Sequence, residues 1–156
     1  MVERLDPDDL ARAATEAMWE GDRASQALGM EIVAVGEGRA TVTMTVRETM
    51  VNGHGTCHGG YIFTLADSAF AFACNSRNAM AVAQHCDITF LTPAYEGDVL
   101  TATASERSRA GRSGLYDVTV TKGGGRVVAE FGGLSRTVRG HHRPDLVTQT
   151  IEPHED

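Results

Sequence analysis

The sequence predicts an α+β fold in which an antiparallel sheet wraps around one long, buried helix. The segment Tyr61–Cys74 has helical length and is apolar on nearly all sides, which is typical of a helix enclosed by protein. Four strand-like segments follow it without an intervening helix, whereas a parallel doubly wound sheet needs strands and helices to alternate. At 156 residues, the chain is most simply one domain with a core of its own.

The segments before this helix predict a helix, a helical turn and a hairpin. A proline and an acidic first turn predict a helix over about residues 7–20, ended by Gly21. A short helical turn is expected at residues 23–28. Two alternating, β-branched segments, 29–36 and 39–46, are joined by a Gly-Glu-Gly sequence that is typical of a hairpin.

Strands dominate the chain after the helix, and turns rich in glycine or proline separate them. The four predicted strands span residues 79–92, 99–108, 113–121 and 126–138. The last residues carry no clear pattern and are expected to be mobile. We therefore divide the chain into an N-terminal helical segment at 1–24, one domain at 25–139 and a flexible tail at 140–156.

Charge and cysteine content disfavour several classes of protein. The net charge of −7 argues against a nucleic-acid surface and means that an anionic ligand has to be held by local arginines. The N-terminus lacks the pattern of a signal peptide, and the longest apolar stretch is too short to span a bilayer. Three cysteines without CxxC spacing favour reduced thiols. We therefore expect a cytoplasmic protein that binds neither nucleic acid nor membranes.

A glycine-rich loop, Asn52–Gly60, leads directly into the central helix. Gly59 and Gly60 lie at the predicted helix start, with His58 near the N-cap. Free N–H groups and the helix dipole at such a start attract an anion, or the oxyanion that forms during acyl transfer. The missing Cβ of Gly59 would let an acyl group lie against the backbone. The glycines are equally consistent with a tight turn that has no chemical role.

A single carboxylate, Asp67, lies within this otherwise apolar helix. With Thr64, Ser68 and Asn75 it is predicted to form one narrow polar stripe. Asp67 follows Gly59 by eight residues, roughly 12 Å along a helix axis, so it cannot act on a carbonyl bound at its own Gly59 N–H. If both residues serve one reaction, two antiparallel helices in a two-fold homodimer have to supply them. The structural alternative is a buried acid bonded to Thr64 or to a neighbouring loop.

Other chemistry in the loop is less well supported. Asn52 and His58 could orient a carbonyl or a water, or bond only their own backbone. A zinc site at His54, Cys57 and His58 is disfavoured, because two glycines disfavour a helix there and no carboxylate is nearby in sequence. A Cys57 nucleophile is disfavoured because adjacent residues rarely face each other. We expect no metal.

The chain closely resembles the hotdog-fold thioesterases of the phenylacetic-acid-degradation type in three stretches, NGHGTCHGGYIFTLAD, SAFAFACNS and DITFLTPAYEGDVLTATA. The resemblance covers roughly residues 25–138, and its HGG-x6-D core is specific for that group. It implies a sheet wrapped around a long helix, homodimers that commonly pair into tetramers, and hydrolysis of acyl-CoA thioesters without a metal. It implies no separate cofactor, because coenzyme A is part of the substrate.

The resemblance also implies roles for single residues. Asp67 matches the catalytic carboxylate, which acts as nucleophile or general base. Gly59 of the partner subunit matches the glycine whose N–H polarises the thioester carbonyl. Asn52 matches a residue that places the carbonyl or the attacking water, and His58 matches one that shapes the helix start. Ala83 stands where some relatives carry a serine or threonine that holds the water.

Residues that bind coenzyme A are assigned on the same basis. The resemblance places them at Gly60, Val82, Ala83, Gly111 and Arg112. The last two lie in the densest basic stretch of the sequence, at a predicted turn between two strands, and a solvated hairpin is the structural alternative. Arg136 and Arg139 are further candidates for holding the phosphates.

The favoured function is therefore hydrolysis of an acyl-CoA thioester, with phenylacetyl or a ring-hydroxylated form as the acyl group. The acyl pocket is expected between the paired helices, near Tyr61, Phe63 and Leu65. One alternative is a hotdog-fold hydratase or dehydratase of enoyl or 3-hydroxyacyl thioesters, which would use His58 with Asp67. The other is a non-catalytic acyl-CoA binding module, which would not need an acid at position 67.

Overall fold

The computed structural model describes residues 3–151 and residue 153. Its helices are α1 at Pro7–Gly21, α2 at Arg23–Ala27 and α3 at Gly59–Cys74. Its strands are β1 at Glu31–Gly36, β2 at Arg39–Thr45, β3 at Ala79–Phe90, β4 at Val99–Ala110, β5 at Ser113–Lys122 and β6 at Arg126–His141. Short 3-10 helices occupy Glu48–Met50 and Pro144–Gln149. In this part of the chain, no helix has both the length and the apolar character needed to cross a membrane.

The six strands form one antiparallel sheet in the order β1-β2-β4-β5-β6-β3. Helix α3 packs against this sheet and contacts all six strands. The predicted α+β fold, with a sheet wrapped around one central helix, is therefore confirmed. Each predicted helix and strand is present, and α3 begins two residues earlier than its apolar segment, at Gly59.

The core lies between α3 and the sheet face that it covers. Phe70 of α3 is 1% exposed, and its ring centroid lies 5.5 Å from that of Tyr116 in β5 and 5.9 Å from that of Phe131 in β6. Gly133 of β6 lies against the same ring, because a Cβ there would come within 2.7 Å of Phe70. The absent side chain therefore lets a large aromatic ring approach the sheet.

Strand β3 forms one edge of the sheet, and β6 is the strand that pairs with it among the described residues. It is 12 residues long and mostly exposed, with Val82 and Phe90 at 50% and 51% exposure. A long edge strand carries unpaired backbone groups that can bond to another strand. β3 is therefore a surface on which a second chain could extend the sheet.

The C-terminal segment has more structure than its sequence pattern indicates. Strand β6 continues to His141, and a 3-10 helix follows at Pro144–Gln149. The Gln149 Oε1 accepts the Leu5 N–H at 3.0 Å, which ties this segment to the N-terminal residues. A bond between positions so far apart leaves no local sequence signal. The domain boundaries, including the flexible tail at 140–156, stay a prediction.

Candidate active site

The loop before α3 is held by its own hydrogen bonds. The Asn52 side-chain oxygen accepts the His54 N–H at 2.9 Å and both the N–H and the hydroxyl of Thr56 at 3.3 Å. The Cys57 N–H donates to the Ala94 carbonyl at 2.7 Å and fixes the loop to its surroundings. The Asn52 oxygen therefore shapes the loop, as the structural alternative proposed, and only its NH₂ group is left to contact a substrate.

His58 is the N-cap of α3. Its Nδ1 accepts the Gly60 N–H at 2.9 Å, so this nitrogen carries no proton. Gly60, predicted to contact coenzyme A, thus has its N–H bonded within the chain. Among the described residues the Gly59 N–H has no acceptor, and it lies at the positive end of the helix dipole. The Gly59 N–H is therefore the donor that remains for a substrate oxygen.

A cleft of about 430 Å³ opens beside Gly59. Its walls include Thr56, Ile62 and Phe90, together with residues 91–94. The Phe90 ring lies against Gly59, because a Cβ on Gly59 would come within 2.8 Å of Phe90 Cζ. The sequence suggested that the missing Cβ makes room for an acyl group, whereas in the structure it makes room for the Phe90 ring.

Asp67 lies half-buried in the middle of α3. Burial raises the pKa of its carboxyl, and a hydrogen bond from Cys86 opposes that shift. The Cys86 Sγ is 3.9 Å from Asp67 Oδ1. Thr64, the partner suggested by sequence, donates its hydroxyl to the Gly60 carbonyl at 2.8 Å. The sequence offered Thr64 or a neighbouring loop as the partner of Asp67, and the structure shows a thiol on β3 instead.

The residues of the predicted polar stripe on α3 have different side-chain partners. The Ser68 Oγ lies 2.8 Å from Ser25 Oγ in α2. Asn75 is buried as the C-cap of α3, and its Nδ2 donates to a carbonyl of the last turn at 2.9 Å. Ser68 and Asn75 thus contact other groups of the chain, and Thr64, Asp67 and Ser68 are the partly exposed members of the stripe.

The two ends of the candidate site are far apart within one chain. Helix α3 is unbroken from Gly59 to Cys74. The eight residues that separate Gly59 from Asp67 therefore correspond to about 12 Å along the helix axis. A carbonyl bonded to the Gly59 N–H is out of reach for Asp67 of the same chain, so one chain does not bring these two candidate groups together.

Comparison with known proteins assigns the family. The Thioesterase superfamily model matches residues 54–129. Acyl-coenzyme A thioesterase PaaI of Escherichia coli strain K12 is 48% identical over 124 residues, which cover 80% of this chain and 89% of the relative. This chain belongs to the thioesterase superfamily. The solved structure of the E. coli PaaI protein from the phenylacetic acid degradation operon matches this thioesterase with a TM-score of 0.86 at 45% identity, covering 87% of this chain and 99% of that chain.

Two further solved structures are similar to this thioesterase. A variant of the phenylacetic acid degradation protein PaaI from Thermus thermophilus is 37% identical with a TM-score of 0.73, covering 75% of this chain and 100% of that chain. A hypothetical thioesterase protein from Streptococcus pneumoniae, solved with coenzyme A, is 25% identical with a TM-score of 0.73, covering 81% and 98%. The predicted hotdog thioesterase fold and the enzyme class, a thioester hydrolase, are confirmed.

Four of the residues that the sequence assigns to coenzyme A lie on the sheet of this thioesterase, on the two sides of β6, and Gly60 lies on α3. Val82 and Ala83 belong to β3, and Gly111 and Arg112 form the turn between β4 and β5. Strand β6 lies between them, where Arg136 pairs with Val82 on one side and with the first residue of β5 on the other. Because neighbouring strands are about 4.8 Å apart, the two groups lie about 10 Å from each other. Arg136, only a further candidate by sequence, is at the centre of this group.

Two arginines of the basic stretch are paired with acids. The Arg109 Nε lies 3.1 Å from Glu106 Oε1, and the Arg107 Nη1 lies 3.8 Å from Asp117 Oδ1. The solvated-hairpin alternative therefore accounts for these two side chains. Arg112 lies in the same turn, where its carbonyl accepts the Thr137 N–H of β6 at 2.7 Å.

Sequence reasoning missed Phe90 and Cys86 as residues of the site. Cys86 is less exposed than its neighbours in β3, as expected for an alternating strand, and that alternation was the available signal. No local pattern connects Phe90 with Gly59, because the contact joins the end of a strand to the start of a helix. Within residues 3–151 and 153, no three histidine, cysteine or acidic side chains come together as a metal site. The expected absence of a metal stays a prediction.

Proposed function

We propose that this thioesterase hydrolyses acyl-CoA thioesters to a free acid and coenzyme A. The observation that carries the proposal is helix α3, with an N–H left for a substrate oxygen at Gly59 and a half-buried carboxylate at Asp67. The names of its E. coli relative, an acyl-coenzyme A thioesterase from a phenylacetic acid degradation operon, support an aryl-acetyl group such as phenylacetyl or hydroxyphenylacetyl.

The chemistry follows from the charges at the two ends of the site. The Gly59 N–H donates to the thioester carbonyl and stabilises the negative charge that develops on its oxygen, and losing one such donor typically costs about 3 kcal/mol in barrier. Asp67 acts either on the carbonyl carbon as nucleophile or on a water as general base. Both routes require the ionised carboxylate. In the first route a mixed anhydride forms as the coenzyme A thiolate leaves, and a water then hydrolyses the anhydride and regenerates Asp67. In the second route the activated water adds to the carbonyl and the thiolate leaves. Both routes give coenzyme A and a carboxylic acid.

A homodimer is part of this proposal, because about 12 Å separate the two groups within one chain. In an isologous dimer with antiparallel α3 helices, Asp67 of one chain meets Gly59 of the partner subunit. The free edge of β3 offers the matching contact. Phe90 lies beside Gly59 and Cys86 lies beside Asp67, so two β3 strands that pair antiparallel around Ile88 would put Cys86 opposite Phe90 of the partner subunit. The proposed coenzyme A residues then border the partner's cleft. From the family resemblance, we extend the proposal to a dimer of dimers.

Phenylacetyl-CoA and a thiol-detecting reagent test the reaction directly. The wild-type protein should release coenzyme A, whereas Asp67→Asn should bind the substrate and release none. Asp117→Asn, at an exposed acid paired with Arg107, is the control and should keep full activity. Turnover that persists in Asp67→Asn would refute the role of the carboxylate.

Asp67→Asn should also raise thermal stability at neutral pH. Burial raises the Asp67 pKa, so the ionised form costs stability in the folded protein and a neutral amide removes that cost. The gain should shrink as the pH falls and the wild-type carboxyl becomes protonated. For a chain of this size each kcal/mol corresponds to about 2–4 °C in Tm. A constant difference between the two melting temperatures at all pH values would contradict this account.

Mixing two inactive variants tests the shared site. One carries Asp67→Asn and the other a disruptive Gly59 substitution, and each is inactive alone. In a mixed dimer one site receives both native residues, so random exchange of subunits should restore about a quarter of wild-type activity. No recovery after exchange, shown by co-purification of differently tagged chains, would mean that each chain builds its site alone.

The hydratase alternative is less favoured by the site geometry. His58 uses its Nδ1 as the N-cap acceptor for Gly60, so this nitrogen is not free to act as the base that a hydratase needs. Incubation with an enoyl-CoA separates the three functions. A hydratase changes the double bond without releasing thiol, a binding module changes neither substrate, and the proposed enzyme releases thiol from phenylacetyl-CoA.

A further inference from the structure

Cys86 contacts the carboxylate from the adjacent strand. Its Sγ lies 3.9 Å from Asp67 Oδ1, and among the described residues it is the side chain that donates a hydrogen bond to Asp67. Thr64, one turn away on α3, is bonded to the Gly60 carbonyl and does not compete for this role. The contact joins the central helix α3 to the edge strand β3 at the position of Asp67.

We propose that Cys86 is a positioning residue, whose thiol holds Asp67 Oδ1 so that Oδ2 is presented to the substrate or to the attacking water. The inference rests on the proposed function, because it assumes that Asp67 acts on the thioester. The thiol itself does not react. It touches the carboxylate and not the substrate.

The ionisation of the neighbouring groups fits this role. Burial and the charges of Asp67 and Asp87 raise the pKa of Cys86 to about 11, so at neutral pH the thiol keeps its proton and can donate it. Cys74 is also close enough to Asp67 to interact electrostatically, with its pKa raised to about 12 mainly by burial. Its Sγ lies 3.5 Å from the Ala71 carbonyl, so it serves its own helix.

Removing the donor should have two effects on the reaction. A thiol hydrogen bond favours the ionised carboxylate and lowers its pKa. Without it, the acidic limb of the kcat profile should move to higher pH. On the plateau above that limb, kcat should fall about three- to tenfold, as expected for the loss of one weak donor, while KM stays close to the wild-type value.

Two variants of Cys86 and one control test the proposal. Cys86→Ala and Cys86→Val both lack the donor. Alanine is smaller than cysteine and valine is larger, so a change in packing does not explain an effect that both variants share. Both should show the displaced acidic limb, and the same displacement should appear in the Asp67 carboxyl carbon titration by NMR. Cys74→Ala should leave the limb in place.

The outcomes separate this inference from the proposed function. An acidic limb at the wild-type pH in either Cys86 variant, or an equal displacement in Cys74→Ala, overturns the positioning role. If Asp67→Asn is fully active, the proposed function itself fails, whatever the Cys86 variants do. An inactive Asp67→Asn together with unaltered Cys86 variants rejects only the role of the thiol.

Discussion

Replacing Gly59 with alanine adds one methyl group where the start of α3 meets the Phe90 ring. The added Cβ would lie 2.8 Å from Phe90 Cζ, whereas ordinary contacts begin near 3.4 Å. The ring or the helix start has to retreat by about 0.6 Å, the difference between these distances. Both groups border the cleft, and a misplacement of about 1 Å can cost about 100-fold in rate. We therefore expect kcat/KM of Gly59→Ala to fall by about 10- to 100-fold.

Steady-state hydrolysis of phenylacetyl-CoA measures the loss of activity. Thermal melts show separately whether the variant is still folded. Alanine is favoured over glycine in a helix by up to about 1 kcal/mol, so the variant should melt at the wild-type temperature or above. Gly53→Ala is the matched control, because nothing lies within 4 Å of a Cβ there. Adding Phe90→Leu to Gly59→Ala should restore part of the activity. Wild-type kcat/KM in Gly59→Ala, or an equal loss in Gly53→Ala, would refute the reasoning.

Two further predictions concern the fold. Gly133→Ala should cost about 1–3 kcal/mol in the free energy of unfolding, because its Cβ would press against the buried Phe70 ring. Gly132→Ala is the control, since the nearest atoms to its Cβ belong to the exposed Asp87 side chain, and it should be nearly neutral. Denaturant titrations measure both. Equal losses would contradict this. Burial lowers the pKa of His142, so the stability of the folded protein should fall as the pH drops below about 6.5. In His142→Gln, Tm should depend less on pH in melts from pH 8 to 5. The same slope in both proteins would exclude His142 as its cause.

The elements of the fold were predictable because their signals are local. Alternation with period two located the strands, and an apolar run of helical length located α3. The eight-residue spacing between Gly59 and Asp67 was also readable, since it depends only on both residues lying on one helix. The fold and the enzyme class were thus available from sequence, the latter through family resemblance.

The partners of individual side chains were not predictable in the same way. The sequence offered Thr64 or a neighbouring loop as the partner of Asp67, but the structure supplies Cys86 from a strand. Ser68 of α3 contacts Ser25 of α2. Such contacts depend on how elements pack in three dimensions, which periodicity does not encode. The strand register likewise placed Arg136 next to Val82, a neighbour that no sequence distance suggests.

The bond between Leu5 and Gln149 brings the two ends of the described chain to one place. The turn at Gly123–Gly125, between β5 and β6, is exposed and has open space around each glycine. A short linker between residues near Leu5 and Gln149, with new ends opened at this turn, should therefore give a circularly permuted enzyme. Helix α3 and the β3 edge would stay uninterrupted in that rearranged chain.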